Sequence, residues 1–334
     1  MIARSGAKNA GLIVPMENSG KVLKIAPGDD IPSTVAKYQD QIEKMLLGGS
    51  VKPKKVIVAF AGNDYASIDD ALEALADENA SYIALSGSAD SMGTKVVTWI
   101  KSQRDAGKNV KAVLPDTAAD CEGIINYATE SVSTVDKTYT AEQYCARIAG
   151  LLAGTPITES ATYFILPEAT DCTRLNKSEM DTAVDEGKLI LNYEDGKVRI
   201  VRAVNSMTTK SAEKGNQYKK IKLVDIMDTI RTDLKAAIKD EWIGKKSNSY
   251  DNKCLLIAAI EGYLNALIQQ MVLSSANVEI DTAGNKAYLE ENGVDTTEMT
   301  SEEIKQANTG DKVFLVAQIK MNDAIEDVSL EINI

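Results

Sequence analysis

KKVIVAFAGNDYASIDDALEALADENASYIALSG (54–87) decides the fold class. Val56–Ala61 is apolar without alternation, the pattern of a strand covered on both faces. Ser67 stands where a helix N-cap belongs, and Asp69 and Asp70 fall in the first turn, where the helix dipole favours anions. SYIALSG (81–87) is a second strand. Working outward, Lys95–Ala106 reads as a helix stopped by Gly107, and VKAVLPD (110–116) as a third strand. Strands alternating with helices predict a mostly parallel α/β sheet. On the N-terminal side, a helix runs from about Ser33 to Leu47 and stops at Gly48 and Gly49. Before it, GLIVPM (11–16) and KVLKIA (21–26) read as short strands between turns.

On the C-terminal side, 123–132 is extended, Thr140–Leu152 helical and TYFILP (162–167) a strand. Ser178–Glu186 is a short helix stopped by Gly187. KLILNYEDGKVRIVRAVN (188–205) is a hairpin turning at Asp195-Gly196. The texture then changes. Residues 206–219 are polar and Lys-rich, 221–242 an amphipathic helix, and Lys253–Leu273 a second helix. VEIDTAG (278–284) and KAYLEEN (286–292) read as strands, Thr300–Ala307 as a short helix, and DKVFLVAQIKM (311–321) as a strand. EDVSLEINI (326–334) alternates Val328, Leu330, Ile332 and Ile334 against polar residues. Such a strand is either an edge of its own domain or one donated to a neighbouring chain.

The chain has 334 residues, 44% hydrophobic and 26% charged, room for roughly two domains of ~150 residues. Its net charge of −12 argues against sequence-independent nucleic-acid binding, which needs a basic face. There is no histidine, which removes Ser-His-Asp, Cys-His and HExxH chemistry together. Cys121, Cys145, Cys172 and Cys254 match no zinc spacing and read as buried or half-buried free thiols. No signal peptide fits residues 1–16, and the apolar run at Cys254–Ile260 is too short to span a bilayer. A soluble protein starting in the cytoplasm is expected.

Candidate sites fail on geometry. ALSGSADSMGTKVV (84–97) follows a strand and opens a helix, but five residues separate Gly87 from Gly93, and Thr94 precedes Lys95, so the P-loop register is wrong. Asp69–Asp70 and Asp181/Asp185 sit where helix starts and solvated faces want them. DTAGN (281–285) lacks the remaining calcium-loop ligands. The Lys-rich run Lys210–Lys222 reads as a solvated loop. No cofactor or metal is expected. What remains for an enzyme or small-ligand-binding protein is a doubly wound sheet using the loops near Gly62, Gly87 and Pro115.

From Thr140 onward the chain resembles contractile phage tail sheath proteins, chiefly the short sheaths of Gram-positive prophages and R-type bacteriocins. TAEQYCARIAGLLAGTPITESATYFILPEA (140–169), VDEGKLILNYEDGKVRIVRAVNSMTT (184–209), KKIKLVDIMDTIRTDL (219–234), EWIGKKSNSYDNK (241–253) and ANTGDKVFLVAQIKMNDAIEDVSLEINI (307–334) carry the likeness in order. ARSGAKNAGLIVPMENSG (3–20) resembles the family's N-terminal opening segment. Met1 lies close to that segment, which implies that the arm usual before it is short or missing. Type VI secretion sheaths share the polymer class but use two chains.

The resemblance implies a non-enzymatic α+β / α/β protein with three parts. Residues 1–30 would pack on the C-terminal domain, 31–190 would form an outer α/β domain with a mostly parallel sheet, and 191–334 a C-terminal α+β sheath domain facing the tube. A donated strand at 326–334 would carry Val328, Leu330, Ile332 and Ile334 to a neighbour, hinged at Asn322, Asp323, Ala324, Ile325 and Glu326. Implied partners are further copies in helical rings, the inner tail tube protein, and baseplate and tail terminator proteins, with no nucleic acid and no membrane. The subunit would assemble in the bacterial host cytoplasm and end in a virion or released tail particle. Contraction would be a rigid-body rearrangement that drives the tube through a target envelope without nucleotide.

Overall fold

Asn9–Val14 (β1) runs through the middle of the larger sheet in the computed structural model, which describes residues 6–87, 90–211 and 214–332. Leu12, Ile13 and Val14 are fully buried. Following β1 come Val22–Ile25 (β2), Gln39–Leu47 (α1), Lys55–Phe60 (β3), Ile68–Asp77 (α2), Ala80–Leu85 (β4), Asp90–Asp105 (α3), Lys111–Pro115 (β5) and Ile124–Tyr127 (β6). Ser131–Thr134 (β7), Thr138–Thr140 (β8) and Ala169–Cys172 (β9) make a separate three-stranded sheet, with Ala141–Ala153 (α4) between β8 and β9 in the chain and Lys177–Asp185 (α5) after β9. Lys188–Leu189 (β10) returns to the large sheet, whose order is β10-β6-β5-β4-β1-β3-β2. All its pairings are parallel except that of edge strand β2 on β3.

The alternation along β1 sorts two cores. Leu12 and Val14 pack with Ile42, Met45, Ile148 and Leu152 of α1 and α4. Ile13 packs on the opposite face with Ile68, Leu72, Leu75 and Ile100 of α2 and α3. Helices thus cover both faces, which explains why the strands read as unbroken apolar runs. Leu191–Glu194 (β11) and Lys197–Ile200 (β12) form the expected hairpin, with Asp195 and Gly196 at φ 51° and 76°, as a type I′ turn requires.

The second unit gathers Ile226–Asp323. It holds most of Ile221–Glu241 (α6), then Tyr250–Gln269 (α7), Leu273–Ile280 (β13), Thr282–Glu291 (α8), Ser301–Gln306 (α9) and Leu315–Met321 (β14). β13 and β14 pair antiparallel, Ile280 opposite Leu315. The first unit gathers Gly6–Asp225 and the tail from Ala324.

Four expectations need correction. Residues 1–30 were expected to pack on the C-terminal domain; 1–5 lie outside the described residues, and 6–30 belong to the first unit, where β1 is an inner strand of the parallel sheet, because its apolar run fits only where both faces are covered. The boundary expected at 190/191 falls inside α6, after Asp225, because the β11–β12 hairpin packs with the first unit's core through Leu191, Val198 and Ile200. KAYLEEN is helix, not strand: Asp281 caps α8 by accepting the Gly284 N–H at 3.0 Å. TYFILP is no full strand; Tyr163, at φ 58°, breaks it, and only Ile165 bridges to Arg199.

Candidate assembly site

The chemistry-bearing candidates are quickly placed. At the carboxyl ends of β3 and β4, Tyr65 is buried and its hydroxyl lies 3.0 Å from Ser86 Oγ. Tyr65 Oη would stand 3.9 Å from a Cβ built on Gly87. Asp69 and Asp70 are in the first turn of α2, as expected. Of the loop 84–97, residues 88 and 89 lie outside the described region. No group of three metal-binding side chains occurs among the described residues. Cys121, Cys145 and Cys172 are buried, and burial raises each thiol, Cys172 to about 11. Cys254 is exposed, a departure from the reading of all four as buried or half-buried. No described helix is long and apolar enough to cross a membrane.

The tail is different. Asn322 is fastened to the second unit: its N–H donates to Val272 O at 2.9 Å and its Nδ2 to Met271 O at 3.0 Å. Glu326 is fastened to the first. Its Oε1 accepts the Thr162 hydroxyl at 2.7 Å, and its Oε2 accepts Lys220 Nζ at 2.9 Å and lies 3.2 Å from an Arg202 guanidinium nitrogen. Thr162 Oγ1 itself accepts from Ser160 Oγ and the Ala203 N–H, which directs its single proton to Glu326. The other Arg202 terminal nitrogen bonds Asp327. Burial works to lower the Arg202 pKa, but Asp327 and Glu326 outweigh it and the group ends raised.

Beyond this anchor the described chain forms no strand. Ile325, Val328, Leu330 and Ile332 are 88%, 81%, 79% and 74% exposed. The residues expected as a donated strand are therefore unpaired within their own chain as far as 332, and Ile334 lies outside the described residues. Of the expected hinge, Asn322 and Glu326 are the two fastened ends. The anchoring residues Thr162, Arg202 and Lys220 gave no local signal; they come from three separate segments.

The second unit carries an exposed sheet edge. Among the described residues β13 and β14 pair with no third strand. Most of β14 is exposed, with Val316 at 38%. Such an edge offers a row of unpaired N–H and C=O groups.

Comparison with known proteins bears on the same regions. A family model described as the phage tail sheath protein central domain matches residues 33–206, and one for the phage tail sheath C-terminal domain matches 213–334. The chain is 38% identical to the tail sheath protein of Clostridium phage phiCD119 over 97% of this chain and 93% of that one. The crystal structure of a sheath tail protein from Desulfitobacterium hafniense superposes with a TM-score of 0.73 at 19% identity, covering 83% of this chain and 90% of that one. The helical sheath of the anti-feeding prophage in its contracted state gives 0.71 at 14% identity, covering 100% and 95%.

Proposed function

The chain belongs to the phage tail sheath protein family, and from that premise we propose that its copies join by donating the segment after Asp327 to the open β13–β14 sheet of a neighbour. It is a structural sheath subunit of a contractile injection system and not an enzyme, which retires the doubly wound ligand-binding alternative. The observation that carries the donation reading is the tail itself: Val328, Leu330 and Ile332 alternate, are each about three-quarters exposed or more, and follow a root held by Glu326. Burying each such side chain contributes ~1.5–3 kcal/mol, so three of them offset a substantial part of the ordering entropy of a short strand.

In this reading the tail bends after Asp327, downstream of the expected hinge, because Asn322 and Glu326 are both fastened. Backbone hydrogen bonds hold neighbours together while subunits move as rigid bodies in contraction. The second unit faces an inner tube protein, and baseplate and terminator proteins close the ends. Assembly takes place in the host cytoplasm, and the subunit ends in a virion or released tail.

The test is deletion of 326–334 in the otherwise complete chain. We expect a folded subunit, by its unfolding transition, that yields no sheaths in negative-stain microscopy. Normal tubular sheaths from the truncated protein would overturn the reading.

A further inference from the structure

Helix α5 and the β11–β12 hairpin both border a cavity of 650 Å³ that lies wholly within the first unit. From α5 come Lys177, Asp181 and Asp185, spaced so that they stack along one side of the helix. From the hairpin come Glu194 and the cross-strand pair Asn192 and Arg199, which share one face of it. Met180, Val184 and Ile200 supply apolar wall. Tyr163, 48% exposed, stands at the border.

The charges around this space do not answer one another. Arg199 is half-buried, and its Nε is enclosed without a partner. Its two terminal nitrogens have no partner among the described residues either, but they are not enclosed, so they reach solvent. Asp181, Asp185 and Glu194 border the same cavity, yet neither they nor Lys177 form an ion pair among the described residues. A cation that has lost part of its water with no anion beside it is unfavourable. With Nε closed off, the open approach to Arg199 is end-on, and the fork of its two terminal nitrogens matches a carboxylate by a two-point contact. On the α5 side two carboxylates stand against one ammonium, which calls for a cation. A simple ion would leave one wall unanswered. An occupant that carries both signs satisfies both walls.

We propose that the cavity receives a mixed-charge segment of a second copy of the chain, and that Arg199 selects that segment by pairing end-on with one of its carboxylates. The proposal rests on the sheath reading, which makes a further copy the expected neighbour, and it is independent of tail donation. The border has the make-up of a protein contact, since Tyr, Arg and Met are enriched there, and Tyr163, Arg199 and Met180 all take part. A contact between this cavity and a different patch of the next copy is head-to-tail. Such contacts repeat into an open helix instead of closing as a dimer, which is the symmetry that a helical sheath needs.

The experiment is assembly of the full chain, read by sedimentation and negative-stain microscopy, beside thermal unfolding of the isolated subunit. Arg199→Glu reverses the charge of the fork. Lys197→Glu makes the same change in net charge on the same hairpin, outside the cavity. We expect Arg199→Glu to raise the concentration needed for sheaths on the order of tenfold or more, and Lys197→Glu to leave it unchanged. Both midpoints should stay near that of the wild type, because Arg199 has no side-chain partner to lose among the described residues. Normal assembly of Arg199→Glu overturns the proposal. So does equal weakening by Lys197→Glu, which would make net charge the cause. If Arg199→Glu lowers the midpoint, Arg199→Gln decides: a midpoint kept with assembly weakened supports the contact, and a midpoint lowered again places the role of Arg199 inside its own fold and overturns it. Deletion of 326–334 keeps the two readings apart. Sheaths that form without the tail but fail with Arg199→Glu overturn donation and leave this contact standing.

Discussion

Glu326 Oε2 lies 2.9 Å from Lys220 Nζ, and this pair, with Arg202 and Thr162, fixes the point at which the tail leaves the first unit. The Glu326 side chain is 13% exposed and that of Lys220 34%, so the ion pairs contribute modestly to global stability, about 1 kcal/mol or less each. Their effect is on position. Glu326→Gln should leave the unfolding midpoint within a few degrees of wild type but speed amide exchange at 324–327 and lengthen the segment open to proteases. Unchanged exchange at 324–327 would show that the carboxylate does not hold the tail root.

Asp225 is the centre of a deeper cluster. It meets Lys8 Nζ at 2.6 Å, Lys111 Nζ at 2.9 Å and the Tyr82 hydroxyl at 2.8 Å. Burial pushes its carboxyl up, but Lys111 and Lys8 outweigh that and hold it at about 2. A depressed carboxyl stabilises the fold above its unfolded value, near 3.8, and loses that contribution as pH falls through about 2. The swing is roughly 2 kcal/mol. Asp225→Asn should flatten the stability profile between pH 4 and 2 in urea titrations. At pH 7 it should cost about 3–5 kcal/mol, since it takes the carboxylate away from the buried Lys111 ammonium and the half-buried Lys8 one.

Gly150 shows what close helix packing demands. A Cβ there would stand 2.2 Å from Met45 O and 2.5 Å from its Cα, so α1 and α4 touch backbone to backbone. Gly150→Ala should lose 1–3 kcal/mol or more. Gly262, exposed on α7, has nothing within 4 Å, and Gly262→Ala should gain ~0.5–1 kcal/mol. Paired denaturation curves decide both; equal shifts would contradict the packing argument.

These contrasts show what the sequence made legible. The β3-α2-β4 run was plain because a strand covered on both faces and a capped amphipathic helix are written in consecutive residues. KAYLEEN is helix rather than strand because the residue that caps it, Asp281, lies five positions upstream, outside the seven residues themselves. The place of β1 depends on Ile83 and Leu75 accepting Gly11 without a side chain, a fact of packing that no local pattern records. The tail was legible as an alternating apolar segment, and Val328, Leu330 and Ile332 are exposed. Its anchor was not, because Thr162, Arg202, Lys220 and Glu326 are distant in the chain and each alone reads as an ordinary surface residue.

The alternation of the tail supplies the sharpest test. In an added strand, successive side chains face opposite ways, so Val328, Leu330 and Ile332 share one face, and Ser329 and Glu331 the other. If the first face is buried on a neighbour, Leu330→Asp places a charge where apolar contact was due and should abolish sheath formation at concentrations that suffice for wild type. Glu331→Gln, one residue away, should assemble normally. Neither change should move the unfolding midpoint of the isolated subunit, because all five side chains are exposed there. Negative-stain microscopy with sedimentation reads assembly, and calorimetry reads the fold. Equal effects at 330 and 331 would mean that the tail does not add as a strand, and a loss of subunit stability at 330 would mean that it packs on its own chain.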